Sequence, residues 1–309
     1  MSTPTLNSLS SRFQKALVVG ANGQLAQALI AAAPPDLEIV SLTRADLNIA
    51  DEDAVFAAIE KLQPDLVFNG AAYNLVDKAE TGGERDAIEV NTLGVANLAR
   101  ACRAGSTPSG GATLVHFSTD FVFDGAKKTP YLETDATHPL GIYAASKLAG
   151  EHIAIATSPK NFVIRVCRLF GPTRDDDAIS SKKPAGNFPL LMLRLARERG
   201  KVRVVDDQIG TPTYTPDLAR AVWQLIENAD GGLFHLSNAG EVSFADYART
   251  IFEMANVECH VEGISSEEYG ADAQRPEYST LDNSKAHAAG VTPLRNWKEA
   301  LREFLATQI

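Results

Sequence analysis

The chain has 309 residues, 45% of them hydrophobic and 22% charged, with a formal net charge of −10. That is enough apolar material for a large buried core, in one domain or two. The acidic balance sets the surface against nucleic acid and anionic lipid, so neither is expected as a partner, but it leaves room for a small anion held by backbone N–H groups.

Residues 1–13 lack an apolar run and read as a loose, disordered tail rather than a signal peptide. Residues 16–20 form a short apolar run ending in glycine, as a buried parallel strand does. A helical pattern follows to Ala33, where Pro34-Pro35 stops it. Residues 38–42 read as a second strand, 51–62 as an amphipathic helix, 65–68 as a third strand and 84–104 as one long helix. A Gly/Ser/Pro patch at 105–111 marks a loop. Residues 113–118 are a fourth strand, 143–156 a helix and 161–168 a fifth strand. This alternation predicts a doubly wound parallel α/β sheet of Rossmann type.

After Gly171 the rhythm changes. Residues 173–183 are polar and read as a mobile loop, 187–198 as a helix, 201–205 as a strand and 215–228 as a helix. Residues 232–236 return to the main sheet, and the chain is mixed from Ser243 onward. The expected division is a dinucleotide-binding domain over 14–171 and 211–240, with a smaller, discontinuous substrate lobe over 172–210 and 241–309.

Gly20-Ala21-Asn22-Gly23-Gln24-Leu25-Ala26 joins the first strand to the first helix. Gly20 permits the tight turn, Gly23 lets backbone approach a pyrophosphate, and Ala26 is small enough for close helix–strand packing. The helix N-terminus then offers free N–H groups and a positive dipole end to phosphate. The turn opens a βαβ unit, which is the context that turns a weak glycine pattern into a dinucleotide site. Thr43-Arg44 stands where an acidic residue would favour NAD. Arginine suits a 2′-phosphate, so NADPH is the expected cofactor and NADH the alternative.

Tyr143 and Lys147 are four residues apart and share a helix face. A free tyrosine titrates near about 10, and a neighbouring ammonium would lower that value toward acid–base use. Thr119 lies at the carboxyl end of the fourth strand, where open α/β sheets bind ligands, and can hold a substrate carbonyl with Tyr143. His116, His138 and His235 are weaker candidates, with no metal-ligand spacing among them. Asp175-Asp176-Asp177 reads as a solvated acidic run, and no metal is expected. Cys102, Cys167 and Cys259 are widely spaced with no CxxC pair, which argues against a disulfide framework or zinc site and for a reducing, cytoplasmic compartment. No run of about 18 apolar residues occurs, so no transmembrane span is expected.

These residues together resemble an extended short-chain dehydrogenase/reductase. Further strings narrow the resemblance to the dTDP-4-dehydrorhamnose reductase family. Residues 69–80, NGAAYNLVDKAE, are similar to that family's NAAAYTAVDKAE, and 118–125, STDFVFDG, to its STDYVFDG. Residues 207–213, DQIGTPT, and 275–282, RPEYSTLD, are similar to DQxGxPT and RPxYSxLD. The resemblance implies hydride delivery from NADPH to the C4 keto carbon of a nucleotide-linked sugar. Tyr143 would give the proton, Lys147 would orient ribose, and Thr119 would place the carbonyl. It also implies cofactor contacts at Ala71, Ala72 and Tyr73. Asn48 stands where the family has an aspartate toward adenine, with Ile49 beside it. Asn74, Val76, Asp120 and Phe121 fall where the sugar is held. Phe170, with Leu169, stands where a tryptophan packs on the nucleotide, and Arg275 is a candidate either for the substrate diphosphate or for a buried ion pair within its lobe.

Phe121 replaces a tyrosine and Asn74 a threonine, which changes the pocket's hydroxyls and bears on the sugar and base. Two alternatives remain: an epimerase or dehydratase acting on another nucleotide sugar, and a cofactor-binding regulatory subunit similar to the methionine adenosyltransferase β subunit. A homodimer is left open.

Overall fold

A computed structural model describes residues 12–105, 110–172 and 187–308. Strand β1 (Lys15–Val19) leads through the glycine turn into α1 (Gln24–Ala31), and β2 (Glu38–Leu42) pairs parallel with β1. Helix α2 (Glu52–Leu62) starts at Asp51, whose carboxylate accepts from the Ala54 N–H at 3.0 Å, a cap worth about 1 kcal/mol. β3 (Leu66–Asn69) then crosses back to the other side of β1.

The helix expected at 84–104 is broken by a π-helical turn. α3 (Glu84–Ile88) passes through Glu89–Leu93 into α4 (Gly94–Ala104). Asn91, in the π turn, exchanges hydrogen bonds with the backbone of the distant Tyr73, accepting at 2.9 Å and donating at 3.1 Å. Such insertions recur where a helix serves a site. β4 (Thr113–Thr119), α5 (Ile142–Thr157) and β5 (Phe162–Val166) complete the first half.

The fifth strand ends earlier than the apolar run suggested. Arg168 has φ +44°, and the chain turns there before the short β6 (Leu169–Phe170). Next come α6 (Phe188–Arg199), β7 (Lys201–Val205), β8 (Ile209–Gly210), β9 (Thr213–Tyr214) and α7 (Thr215–Asn228). β10 (Gly232–His235) returns to pair parallel with β5. The chain closes with β11 (Val242–Ser243), α8 (Phe244–Met254), β12 (His260–Ile264), α9 (Ser266–Tyr269), α10 (Ser284–Ala288) and α11 (Trp297–Gln308).

The main sheet has the order β10-β5-β4-β3-β1-β2, with every pairing parallel. Alternate residues feed two faces. Ala16 and Val18 of β1 pack with α1 and α7, while Leu17 and Val19 pack with α2 and α4. The order reverses between β1 and β3, and such a reversal opens a crevice at the carboxyl ends of those strands. A separate core joins α6, β7, α8, β12 and α11 around Tyr247, Trp297 and Phe304.

Under α5, Arg165 of β5 and Glu151 are 3% and 1% exposed and joined by two parallel hydrogen bonds, at 3.0 and 2.8 Å. His235 of β10 contacts the same guanidinium at 3.3 Å. Removing one partner of such a buried pair costs about 3–5 kcal/mol, because the other charge is stranded.

The expected tail is shorter than 1–13. Phe13 is 6% exposed in the core beside α1, and Arg12 donates to the Ile226 carbonyl at the end of α7. An aromatic ring next to a strand finds apolar cover even when its neighbours in sequence are polar. The expectations for 1–11, for most of the 105–111 loop, for the 173–183 loop and for Asp175-Asp176-Asp177 fall on residues outside the described ones.

Candidate active site

One cavity of about 930 Å³ opens at the crevice. The turn Asn22, Gly23, Gln24 and Leu25 forms part of its wall, and Thr119, Tyr143 and Lys147 another. Gly20 shapes the turn without lining the cavity. It has φ +69°, and a Cβ there would stand 2.5 Å from the Ala71 nitrogen, so only glycine fits. Gly23 caps α1 with no side-chain hydrogen bond, so the helix N-terminus presents open donors at the cavity. Those features suit a pyrophosphate.

Tyr143 and Lys147 lie on the buried face of α5, at 9% and 3% exposure. Glu80 holds the start of that helix: its carboxylate accepts from the Ile142 N–H at 2.6 Å. An anion at a helix N-terminus is favourable. Lys147 donates to the Phe117 carbonyl at 2.5 Å, and burial draws its pKa down to about 8, against the pull of Glu151.

Burial raises the Tyr143 phenol, Asp120 raises it further, and a hydrogen bond with Thr119 opposes both. The expected lowering by Lys147 is therefore corrected, because the ammonium is turned to Phe117 and desolvation dominates at the phenol. Asp120 is 3% exposed, and burial raises its carboxyl; it accepts from the Cys167 thiol at 3.0 Å and the Thr119 hydroxyl at 3.1 Å. Phe121 meets Tyr143 edge to face, with ring centroids 6.2 Å apart.

Ala72, Asn74, Val76, Asp120 and Phe121 line the same cavity. Thr43, Arg44, Asn48, Ile49, Ala71 and Tyr73 lie outside its lining. Arg44 is exposed at the end of β2, and Thr43 spends its hydroxyl on Asp46 at 2.7 Å. Ile49 is buried at 3% exposure, Asn48 is exposed, and the Tyr73 hydroxyl turns toward Gly83.

Two residues expected at the nucleotide end are engaged by other groups. Phe170 lines the main cavity but is 1% exposed, with its ring packed among Tyr214, Tyr247 and Phe304, so little of it is open to a base. Phe188 and Phe244, both partly exposed, line the cavity beside it. Arg275 is held away from the main cavity, donating to both carboxylate oxygens of Asp77 at 2.9 and 2.8 Å and lining a smaller cavity of about 560 Å³. The short bidentate geometry explains the preference.

His116 is 1% exposed, pairs with Asn69 at 3.2 Å and is neutral because burial pulls its pKa far down. His235 sits on the Arg165 pair, drawn to about 3 by burial, and His138 lies beside Asp124 at 3.3 Å. Among the described residues no His/Cys/Asp/Glu group could hold a metal, and no helix is long and apolar enough to cross a membrane.

Sequence reasoning missed several residues. Asn91 ties the backbone at Tyr73 to Ser146 of α5, donating to its hydroxyl at 3.1 Å. Asn187 reaches from the start of α6 to the Gly171 carbonyl at 2.7 Å and to Gln24 of the glycine turn at 3.4 Å. Arg168 and Tyr247 line the cavity from the second lobe's side. Glu80 alone carried a signal, as the last residue of the string at 69–80.

The RmlD substrate binding domain family matches residues 14–309. A dTDP-4-dehydrorhamnose reductase of Mycolicibacterium smegmatis is 38% identical, over 96% of this chain and 86% of the relative. A dTDP-4-keto-6-deoxy-D-glucose reductase of Streptomyces niveus is 36% identical, over 93% and 95%. The crystal structure of a dTDP-4-dehydrorhamnose reductase from Bacillus anthracis in complex with NADP superposes with a TM-score of 0.87 at 34% identity, covering 95% of this chain and 99% of that one. Matched along nearly its whole length by the family and by these relatives, this chain belongs to the dTDP-4-dehydrorhamnose reductase family.

Proposed function

We propose that the chain is an NADPH-dependent oxidoreductase that reduces the C4 keto group of a dTDP-linked 4-keto-6-deoxysugar, converting dTDP-4-dehydro-L-rhamnose to dTDP-L-rhamnose. The observation that carries this reading is the single cavity shared by the glycine turn and by Thr119, Tyr143 and Lys147. The named relatives support the reaction, and the NADP of the Bacillus anthracis protein supports the cofactor.

The open N-terminus of α1 and the close backbone at Gly20 fit a dinucleotide pyrophosphate. When bound, the reduced nicotinamide supplies the hydride for the keto carbon. The remaining work belongs to the chain. Thr119 and Tyr143 hold the carbonyl oxygen from one side. The raised phenol of Tyr143 keeps its proton at neutral pH, as a donor in the reducing direction requires. Lys147, still a cation below about pH 8, orients the ribose. Asn74, Val76, Asp120 and Phe121 surround the sugar. The three free cysteines are in keeping with a reducing, cytoplasmic compartment.

The test follows NADPH absorbance with purified protein and enzymatically generated dTDP-4-dehydro-L-rhamnose. Oxidation with formation of dTDP-rhamnose is the expected result. Tight NADPH binding without oxidation would move the assignment to another 4-keto-6-deoxysugar, as the Streptomyces niveus relative's name illustrates. Failure to bind NADPH would overturn the reading.

A further inference from the structure

Among the described residues lining the main cavity, two are cations: Lys147 and Arg168. Lys147 is committed to the Phe117 carbonyl beside the reacting centre. Arg168 stands where the cavity meets the second lobe, and its surroundings are built around its side chain. Its Nη1 donates to the Val242 carbonyl and its Nη2 to the Gln208 carbonyl, each at 2.9 Å. The guanidinium lies 3.8 Å from the centre of the Phe244 ring. A Cβ at position 210 would come within 2.8 Å of Arg168 Nε, so Gly210 clears the space it occupies.

The backbone of Arg168 is left-handed, at φ +44°, a conformation that a non-glycine residue holds only when its surroundings impose it. The Thr213 N–H, donating to the Arg168 carbonyl at 3.1 Å, helps to impose it. Both side-chain acceptors are neutral carbonyls, and among the described residues no carboxylate forms an ion pair with this guanidinium. Asp120, whose charge is felt at Arg168, is engaged by Cys167 and Thr119.

A second observation is independent of the first. The Tyr247 side chain lines the same cavity, is 1% exposed, and its hydroxyl has no partner. A buried hydroxyl is rarely left without one.

We infer that Arg168 and the Tyr247 hydroxyl form the subsite for the diphosphate of the nucleotide sugar, placing the keto carbon against Tyr143 from the second lobe. The inference rests on the proposed nucleotide-sugar reduction. Arg168 is a positioning residue: it carries no proton in the reaction, and its charge selects ligands that bear a diphosphate.

The test is calorimetric titration of dTDP and of thymidine into the NADPH complex of the wild-type protein, Arg168→Gln, Arg168→Lys and Tyr247→Phe. Arg168→Gln is expected to weaken dTDP by about ten- to hundredfold while thymidine and NADPH bind as before. Arg168→Lys should recover part of that loss, and Tyr247→Phe should lose several-fold on dTDP alone. Unchanged dTDP affinity in Arg168→Gln would overturn the subsite. So would an equal loss for dTDP and thymidine, the mark of a clip that only holds β11. A wild-type protein that binds neither ligand would overturn the nucleotide-sugar reading, and the subsite with it.

Discussion

The two ends of the cavity are made of different material. The end proposed for the cofactor is largely backbone: a glycine turn, an open helix N-terminus and strand ends brought together by the sheet order. The substrate end is largely side chain, contributed by β4, α5, the turn at Arg168 and the second lobe. A backbone cradle needs a short contiguous motif, tolerates few residue types and serves one ligand class. A side-chain pocket is assembled from distant positions, so single substitutions retune it while the sheet stays the same.

The largest break in that comparison is expected from Tyr143→Phe. Only the proton donor is removed, so turnover should fall by about 10²–10⁴-fold while NADPH affinity, read by fluorescence titration, stays within about twofold. Retained turnover would remove Tyr143 as the acid. Gly20→Ala attacks the other end. The new Cβ meets the Ala71 nitrogen in a left-handed residue, and the combined strain of about 2–4 kcal/mol should lower the urea midpoint and weaken NADPH together. A variant with native midpoint and affinity would show that the turn can relax.

Arg44→Ala sharpens the cofactor comparison further. Arg44 is exposed at the end of β2, and its loss should weaken NADPH by about tenfold and NADH hardly at all. Equal loss for both would refute a 2′-phosphate contact. The smallest effect concerns pH. Lys147 carries its charge below about pH 8 and loses it above, so kcat/KM should decline on the alkaline side with an apparent pKa near that value. Lys147→Arg, which does not titrate in this range, should flatten that limb at whatever rate it retains. A limb that survives in Lys147→Arg would belong to another group.

Much of the first half was legible in sequence. Strand β2 runs over 38–42 as expected, and α2 fills the expected 51–62 segment apart from Asp51, which caps it. Tyr143 and Lys147 face one cavity because helical spacing leaves little choice. Other features depended on partners far away in sequence. Nothing near Asn91 announces that it will hold Tyr73 from within a π turn, and nothing near Arg275 announces Asp77. Phe170 looked like a stacking platform by position, yet its ring is taken by the second core. Phe188 and Phe244, at the starts of two separate helices, line the cavity beside it with more of their rings open.

The sequence by itself determined the parallel sheet, the glycine turn and the helix that carries Tyr143 and Lys147, because each rests on local periodicity or on steric demands within a few residues. The tertiary structure decided which cations line the cavity, which aromatic rings stay partly exposed there and in which direction the phenol of Tyr143 shifts. Those outcomes are competitions among groups that meet only after folding. A carboxylate with bidentate geometry captured Arg275, neutral carbonyls left Arg168 unneutralised, and burial outweighed the expected help from Lys147.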